Sequence, residues 1–344
     1  MESSSSQPPA APGKARGRVI AVTGAAAFLG RNLIGVLEED PRVSRVIAID
    51  VKTPDTSGPK TLMVPVDLTA PSSEERISEI LAAERVDTLV HLAFLSSPTH
   101  ASAWAHEFES IGTMHVLNAA RQVSLRKLVL WSQTILYGAH PTNPNFLTEK
   151  HPLRADPEER YFNDKMAAER AVAAFAAKAK GTIVTVLRTA PILGPTVHNY
   201  VTRYLAQRGV LTLLGFDPLW QFVHEVDAIA AFKLAIDRDF PGTFNIVGDG
   251  VLPLSTVVRL AGRTSVPMLH SLAAPLTSAL WAVQAAPAPP SFLRYLRYLC
   301  VADGKRAAEG MGFQPVYSTR EALLDYISAQ RLREARLLQP EPAA

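Results

Sequence analysis

The stretch Arg18-Val19-Ile20-Ala21-Val22-Thr23-Gly24-Ala25-Ala26-Ala27-Phe28-Leu29-Gly30 decides the fold. Val19 to Val22 is a continuous apolar run, the pattern of a strand buried on both faces. Phe28 opens a stretch with helical spacing of apolar residues that runs to Glu38. Gly24 supplies the tight turn between the two. The start of the helix, at Ala27, Phe28 and Leu29, offers unpaired N–H groups and a positive dipole end. Gly30 lets the helix pack close to the sheet. Strand, glycine turn and helix together read as a cradle for a dinucleotide pyrophosphate.

Working outward, strand-like runs alternate with helix-like ones. The strand-like runs are Arg18–Thr23, Arg45–Asp50, Thr61–Val66, Val86–Leu92, Lys127–Trp131 and Ile183–Leu187. Phe28–Glu38, Glu74–Glu84, Ala103–Gln122 and Tyr161–Lys178 carry helical periodicity. This alternation predicts an α/β chain with a Rossmann-type, doubly wound parallel sheet over residues 18–190. After about residue 190 prolines, glycines and longer loops predict a smaller mixed C-terminal lobe. That lobe spans 191–333 and is partly interleaved with the first. Residues 1–17 and 334–344 read as tails.

Two further features fall where ligands lie in such a sheet. Asp50 ends the second strand-like run, 20 residues after Gly30. A carboxylate there accepts hydrogen bonds from the adenosine ribose and repels a 2′-phosphate, so NAD is expected over NADP. Arg31 and Lys52 are the cations nearby in sequence that oppose this. Asp67-Leu68 is placed to meet the adenine, or to cap a turn before Ala70-Pro71. The second feature is Tyr161-Phe162-Asn163-Asp164-Lys165. Its phenol and ammonium are one helical turn apart, on one face. An ammonium about 4 Å from a phenol favours the phenolate by roughly 4 kcal/mol at an effective dielectric near 20. Lys165 is therefore expected to lower the Tyr161 pKa toward the range of a working acid/base.

In this order the motifs make the chain similar to the extended short-chain dehydrogenase/reductases, the NAD-dependent epimerase/dehydratase family. The resemblance covers roughly residues 18 to 330. It rests on Thr23-Gly24 to Gly30, Asp50, Asp67-Leu68, His91-Leu92-Ala93, Gly112-Thr113, Tyr137-Gly138, Tyr161 to Lys165, Leu187-Arg188 with Gly194-Pro195, and Phe222-Val223-His224 with Asp227. It implies NAD in the first lobe and a small-molecule substrate in the second. It implies Tyr161 as general acid/base, Lys165 as its partner and ribose holder, and cofactor contacts from Leu92, Ala93, Pro191 and Ile192. It also implies a homodimer, built by pairing Ala103–Gln122 and Tyr161–Lys178 across a two-fold axis.

The departures bear on chemistry. Ala27 replaces a usual glycine in the turn. Gln133 occupies the position of a catalytic Ser or Thr, with Ser132 and Thr134 beside it. Any of the three is a candidate to orient the reacting oxygen. Glu109 replaces an asparagine three residues before Gly112. Pro191 and Trp220 stand where nucleotide-sugar members carry an Asn and an Arg that contact phosphate. Their loss predicts a less charged substrate, a sugar derivative or a hydroxy-lipid or sterol-like alcohol.

Composition agrees and excludes other classes. The chain has 344 residues, 47% of them hydrophobic, and a formal net charge of +3 with basic residues scattered, so no nucleic-acid partner is expected. One cysteine, Cys300, excludes an intramolecular disulfide, which fits a reducing, cytoplasmic setting. No histidine pair has metal-ligand spacing, and His91 reads as a packed residue. Residues 264–293 carry no charged side chain. Polar residues interrupt the segment, and Pro275 and Pro287 are expected to break any helix. It reads as a buried helix or the cover of an apolar pocket, with peripheral membrane contact a lesser reading and a span disfavoured. The alternative to an enzyme is an NAD-binding sensor or scaffold with little catalysis. Ala27 and Gln133 favour that reading; Tyr161 and Lys165 oppose it.

Overall fold

In a computed structural model, residues 17–53, 57–123 and 125–337 are described. The expected tails at 1–16 and 338–344 lie outside them. Residues 334–337, also read as tail, continue a helix instead.

Seven strands form one parallel sheet. They are β1 (Arg18–Thr23), β2 (Val43–Asp50), β3 (Thr61–Pro65), β4 (Thr88–His91), β5 (Lys127–Gln133), β6 (Ile183–Thr189) and β7 (Gly242–Ile246). Their spatial order is β3-β2-β1-β4-β5-β6-β7, with every pairing parallel. The order reverses between β1 and β4, and a crevice opens there at the carboxyl ends of the strands. The sequence reading holds for six strands. The seventh, β7, is contributed from beyond residue 191, which interleaves the two halves of the chain.

The longer helices are α1 (Phe28–Glu39), α2 (Ser73–Ala83), α3 (102–122), α4 (Arg160–Lys178), α5 (Glu225–Asp237), α6 (His270–Ala282) and α7 (Thr319–Leu337). α1 buries Leu29, Leu33, Ile34 and Leu37, a spacing of three and four that places one stripe on the sheet. α3 is continuous but contains one π-helical turn, Glu107–Ile111. Such turns mark places where a helix has been adjusted for a site.

Lys127 fastens the second half of the chain to the sheet. It is fully buried in β5, and its Nζ donates to the carbonyls of Ala235, Ile236 and Arg238 at 3.1, 2.9 and 2.8 Å. Those oxygens end α5, where the helix dipole is negative, so the ammonium both satisfies them and is favoured there.

Beyond residue 190 the strands outside the main sheet are short. Three two-stranded ladders pair Ile192–Leu193 with Val223–His224, Leu219–Trp220 with Leu252–Pro253, and Gly209–Leu213 with Thr264–Met268. Two further apolar clusters, around Leu193, Phe222 and Leu323 and around Leu213, Leu254 and Leu293, serve this part.

The uncharged segment departs from the sequence reading. Pro275 lies inside α6 without breaking it. It forfeits the one hydrogen bond that a residue at this position would donate to the Ser271 carbonyl, in the second turn of the helix. Nor is α6 a buried helix. Ala273 and Thr277 are buried, while Leu269, Leu272, Leu276, Leu280 and Val283 are exposed. Trp281 of this helix stacks its ring on His100, with centroids 3.8 Å apart. No helix among the described residues is long and apolar enough to cross a membrane.

The turn after β1 tolerates no added bulk at Gly30, where a Cβ would stand 2.2 Å from the Gly24 carbonyl oxygen. Gly30→Val is expected to cost about 1–3 kcal/mol in urea denaturation, the range for forced overpacking. Ala27 is exposed with φ −71°, so Ala27→Gly should cost only about 0.4–1 kcal/mol, through the unfolded chain. Equal losses at the two positions would contradict this account.

Candidate functional site

The glycine turn is shaped by steric limits at its two ends. Gly24 has φ +69°, and a Cβ there would lie 2.8 Å from the backbone of Leu92 and Ala93. Gly30 closes the first turn of α1 onto Gly24 and Ala25, a closer partner than the sheet expected from sequence. The amide of Ala27 is taken by the Gly24 carbonyl at 3.1 Å. No side chain caps α1, so the N–H groups of its first turn stay available to an anion. The absence of a glycine at 27 introduces no backbone strain, because its φ is negative.

Asp50 sits at the end of β2 beside this turn. Its Oδ2 accepts from the Ala26 N–H at 3.0 Å, and its Oδ1 from Val51 and Lys52 at 2.7 and 3.3 Å. The carboxylate thus braces the turn. Asp67 caps a local turn, accepting from the Thr69 N–H and Oγ1 at 2.9 and 2.8 Å. Leu68 is buried in the main core. Leu29, Leu92 and Ala93 are buried as well and form the floor under the turn. An uncapped helix start, a glycine turn that a Cβ would fill and an adjacent carboxylate fit a dinucleotide.

At the other end of the crevice α4 delivers Tyr161 and Lys165, both buried. The expected contact between ammonium and phenol oxygen is not what forms. Lys165 Nζ lies over the face of the Tyr161 ring, 3.9 Å from its centroid, and is held by Glu109 Oε1 at 2.5 Å. The same carboxylate oxygen accepts the Leu95 N–H at 2.5 Å. Burial pushes the Tyr161 phenol well above its ordinary pKa, with Tyr200 and Glu109 adding to the rise and the Gln133 hydrogen bond opposing it. Burial likewise lowers Lys165, against the pull of Glu109. The expectation of a depressed phenol pKa is therefore corrected. The ammonium is already neutralised by Glu109 and faces the ring instead of the oxygen, and no water reaches the phenolate.

The three neighbours at the end of β5 separate cleanly. Gln133 Oε1 accepts the Tyr161 hydroxyl at 3.3 Å. Ser132 points to the other side of the strand, as alternation requires, and its hydroxyl donates to Glu169. Glu169 is paired with Arg188, and Arg188 donates to the Tyr137 hydroxyl at 2.8 Å, which donates to Asn245 Oδ1 at 2.8 Å. Ser132, Arg188, Tyr137 and Asn245 thus belong to a buried polar network that ties β5, α4, β6 and β7 together. Thr134 starts a 3-10 turn, Thr134–Tyr137, and lines a different cavity with Cys300 and Tyr298. His91 is packed as expected. It bridges Thr23 and Thr113 at 2.6 and 2.9 Å, and burial lowers its pKa to about 3, so it is neutral.

Two cavities share Tyr200, a neighbour of Tyr161, in their walls. One, of about 30 Å³, is lined by Phe28 at the start of α1 and by Gln133, Pro191, Ile192 and Tyr200 among others. The other, of about 170 Å³, is apolar and lies under the 264–293 segment, with Trp220, Leu280, Phe292 and Tyr295 in its wall. Tyr200 lines both, and its ring stands 6.3 Å from that of Tyr161. Phe292 packs against Tyr161 at 5.7 Å. Sequence reading missed Tyr200, Phe292 and Tyr295, because aromatic residues in an irregular region look like ordinary core. Glu109 was visible as a departure, but its contact with Lys165 was not.

The buried network gives a stability test. Glu169→Ala would strand Arg188, 7% exposed, without its counter-ion. A loss of about 3–5 kcal/mol is expected in chemical denaturation. Ser132→Ala removes a hydroxyl and leaves the ion pair, so it should cost no more than about 1–3 kcal/mol.

The model of the NAD dependent epimerase/dehydratase family matches residues 20–247. The uncharacterised protein Rv0501 of Mycobacterium tuberculosis is 33% identical over 318 residues, covering 92% of this chain and 85% of the relative. A 3-diazoavenalumate denitrifying reductase of Streptomyces is 26% identical over 262 residues, or 71% and 81% of the two chains. UDP-glucose 4-epimerase of Thermotoga maritima, solved with UDP-glucose, superposes with a TM-score of 0.70 at 20% identity, covering 92% and 99%. The chain therefore belongs to the NAD dependent epimerase/dehydratase family and is an NAD-dependent enzyme.

Proposed function

We propose that this enzyme interconverts a secondary alcohol and a ketone on an apolar substrate, with Tyr161 as the general acid/base. The observation that carries the reading is the position of Tyr161. Its ring packs directly behind Tyr200, which lines both the cavity from the α1 turn and the larger apolar cavity, and against Phe292 in the wall of the latter. NAD supplies the hydride acceptor or donor. The turn at Gly24, Ala27, Phe28, Leu29 and Gly30 would hold its pyrophosphate, Asp50 its adenosine ribose, and Lys165 the second ribose, with Pro191 and Ile192 near the ring.

The remaining chemistry falls to side chains. Tyr161 gives its proton to the substrate oxygen in ketone reduction and takes one in alcohol oxidation. Gln133 accepts the phenol hydroxyl through Oε1, which leaves its Nε2 hydrogens to orient the substrate oxygen. Trp220, in the wall of the apolar cavity, and Pro191 replace charged or amide side chains. A sugar nucleotide would find no diphosphate partner there. The substrate is a hydroxy-lipid, sterol-like or other ring-bearing alcohol. The Streptomyces relative, named for a reduction, is consistent with this. Exposed Trp104 and Met114 on α3 support a homodimer that pairs α3 and α4 of two copies.

A panel of apolar alcohols and ketones followed by NADH absorbance tests the chemistry. Tyr161→Phe should retain NAD binding and lose turnover; full turnover would overturn Tyr161 as the acid/base, whereas NAD binding by the unmodified protein with no turnover across the panel would favour the NAD-binding sensor. Because burial raises the phenol, Tyr161 stays protonated through neutral pH. Ketone reduction should then be nearly flat across neutral pH, while alcohol oxidation should climb as pH rises.

Asp50→Ala should weaken NAD and narrow its advantage over NADP in calorimetric titrations. Tighter binding of NADP by the unmodified enzyme would overturn the assignment of Asp50.

A further inference from the structure

One face of α6 is apolar and bare. Leu269, Leu272, Leu276, Leu280 and Val283 recur every three or four residues along the helix and its two flanking positions, which puts them on one stripe. All five are between 39% and 71% exposed. The stripe continues onto the neighbouring ladder. Leu214, also exposed, donates its N–H to the Met268 carbonyl at 2.9 Å, one residue before Leu269. Val266 is exposed on the same ladder. Apolar residues scattered singly over a surface need no explanation, but a continuous stripe does.

The charge around this face has one sign. Residues 189–216 and 251–302 contain six arginines, Arg203, Arg208, Arg259, Arg263, Arg294 and Arg297, and no lysine, aspartate or glutamate, while the rest of the chain carries three more acidic than basic residues. Arg203, Arg208 and Arg294 are exposed and form no ion pair among the described residues. Leu293 and Leu296 pack with Ala273 of α6, which sets Arg294 beside the helix. Arg208 precedes Gly209–Leu213, the ladder strand that leads to Leu214. Asp217, the first acid after Leu214, is taken by the Ser255 N–H and hydroxyl at 2.8 and 2.7 Å.

We propose that the exposed face of α6 docks the protein on an anionic lipid bilayer, lying in the interface without crossing it. No described helix is long and apolar enough to span, but leucines need only reach the acyl boundary while arginines meet the headgroups. A second copy of this chain fits the face less well. A two-fold contact would set the arginines of one protomer against those of its partner, with no acid from these segments between them. The cavity points the same way. Leu280 belongs both to the exposed stripe and to the wall of the apolar cavity, so lipid against the stripe adjoins the space that would take the substrate. The docking rests on the surface alone; delivery of a lipid-soluble alcohol from the bilayer rests on the function proposed above.

Flotation of the full-length protein with vesicles tests the docking. Binding is expected to vesicles of phosphatidylcholine and phosphatidylglycerol, and it should weaken at high salt as the arginines are screened. Leu272→Ser combined with Leu276→Ser should lower partitioning by at least about tenfold, the loss expected when large apolar side chains no longer leave water. Neither residue lines the cavity, so this variant should bind NAD as the unmodified protein does. Arg294→Gln should lower binding to the anionic vesicles about fivefold and leave binding to pure phosphatidylcholine unchanged. No vesicle binding by the unmodified protein, or equal binding by the leucine variant, overturns the proposal. A dimer that the leucine variant converts to a monomer, in light scattering without lipid, assigns the face to a second copy and overturns it too. Vesicle binding with no turnover of any apolar alcohol or ketone leaves the docking standing and removes the function reading.

Discussion

The tight approach of three backbones at Gly24 governs the rest of the molecule. The end of β1, the segment Leu92–Ala93 after β4 and the first turn of α1 come so close that a Cβ at either Gly24 or Gly30 would overlap main-chain atoms. Because the sheet is parallel, every connection returns along a face, and all carboxyl ends collect at one edge. The contact at Gly24 lies where the strand order reverses, so the crevice opens there. Asp50, Gln133 and the Pro191–Ile192 segment all follow strands that end on this edge.

Two buried ionic groups flank β5, and they do different things. On one side Glu169 and Arg188, with Ser132, Tyr137 and Asn245, form a closed network in which each named polar group has a partner. On the other side Glu109 and Lys165 leave a carboxylate oxygen open, as does Asp164 beside them. A satisfied network specifies packing; an unsatisfied one is tolerated where chemistry uses it. This division explains why neighbouring residues of one strand, Ser132 and Gln133, serve opposite purposes. Strand alternation sends one into the structural network and the other to the phenol.

The segment without charges shows how an irregular region acquires a role. α6 presents little to the core, yet the chain after it brings Phe292 and Tyr295 into the wall of the apolar cavity. Phe292 and Tyr200 pack around Tyr161, which is why the phenol is dry and its proton firmly held. The mixed lobe thus sets the electrostatics of a residue that belongs to the first half of the chain.

Local pattern alone determined the parallel sheet, six of its strands, the glycine turn and the helical spacing of Tyr161 and Lys165. Each of these rests on periodicity or on a conformation that only glycine adopts, and both are written within a few residues. The sequence also marked Glu109, Gln133, Pro191 and Trp220 as unusual. Tertiary structure alone decided what they touch. The joining of β7 to β6, the choice of Gln133 over Ser132 and Thr134 at the phenol, and the capture of Lys165 by Glu109 are contacts between residues distant in the chain. Burial, which raises the phenol instead of lowering it, is a property of everything packed around Tyr161 and of no short stretch that contains it.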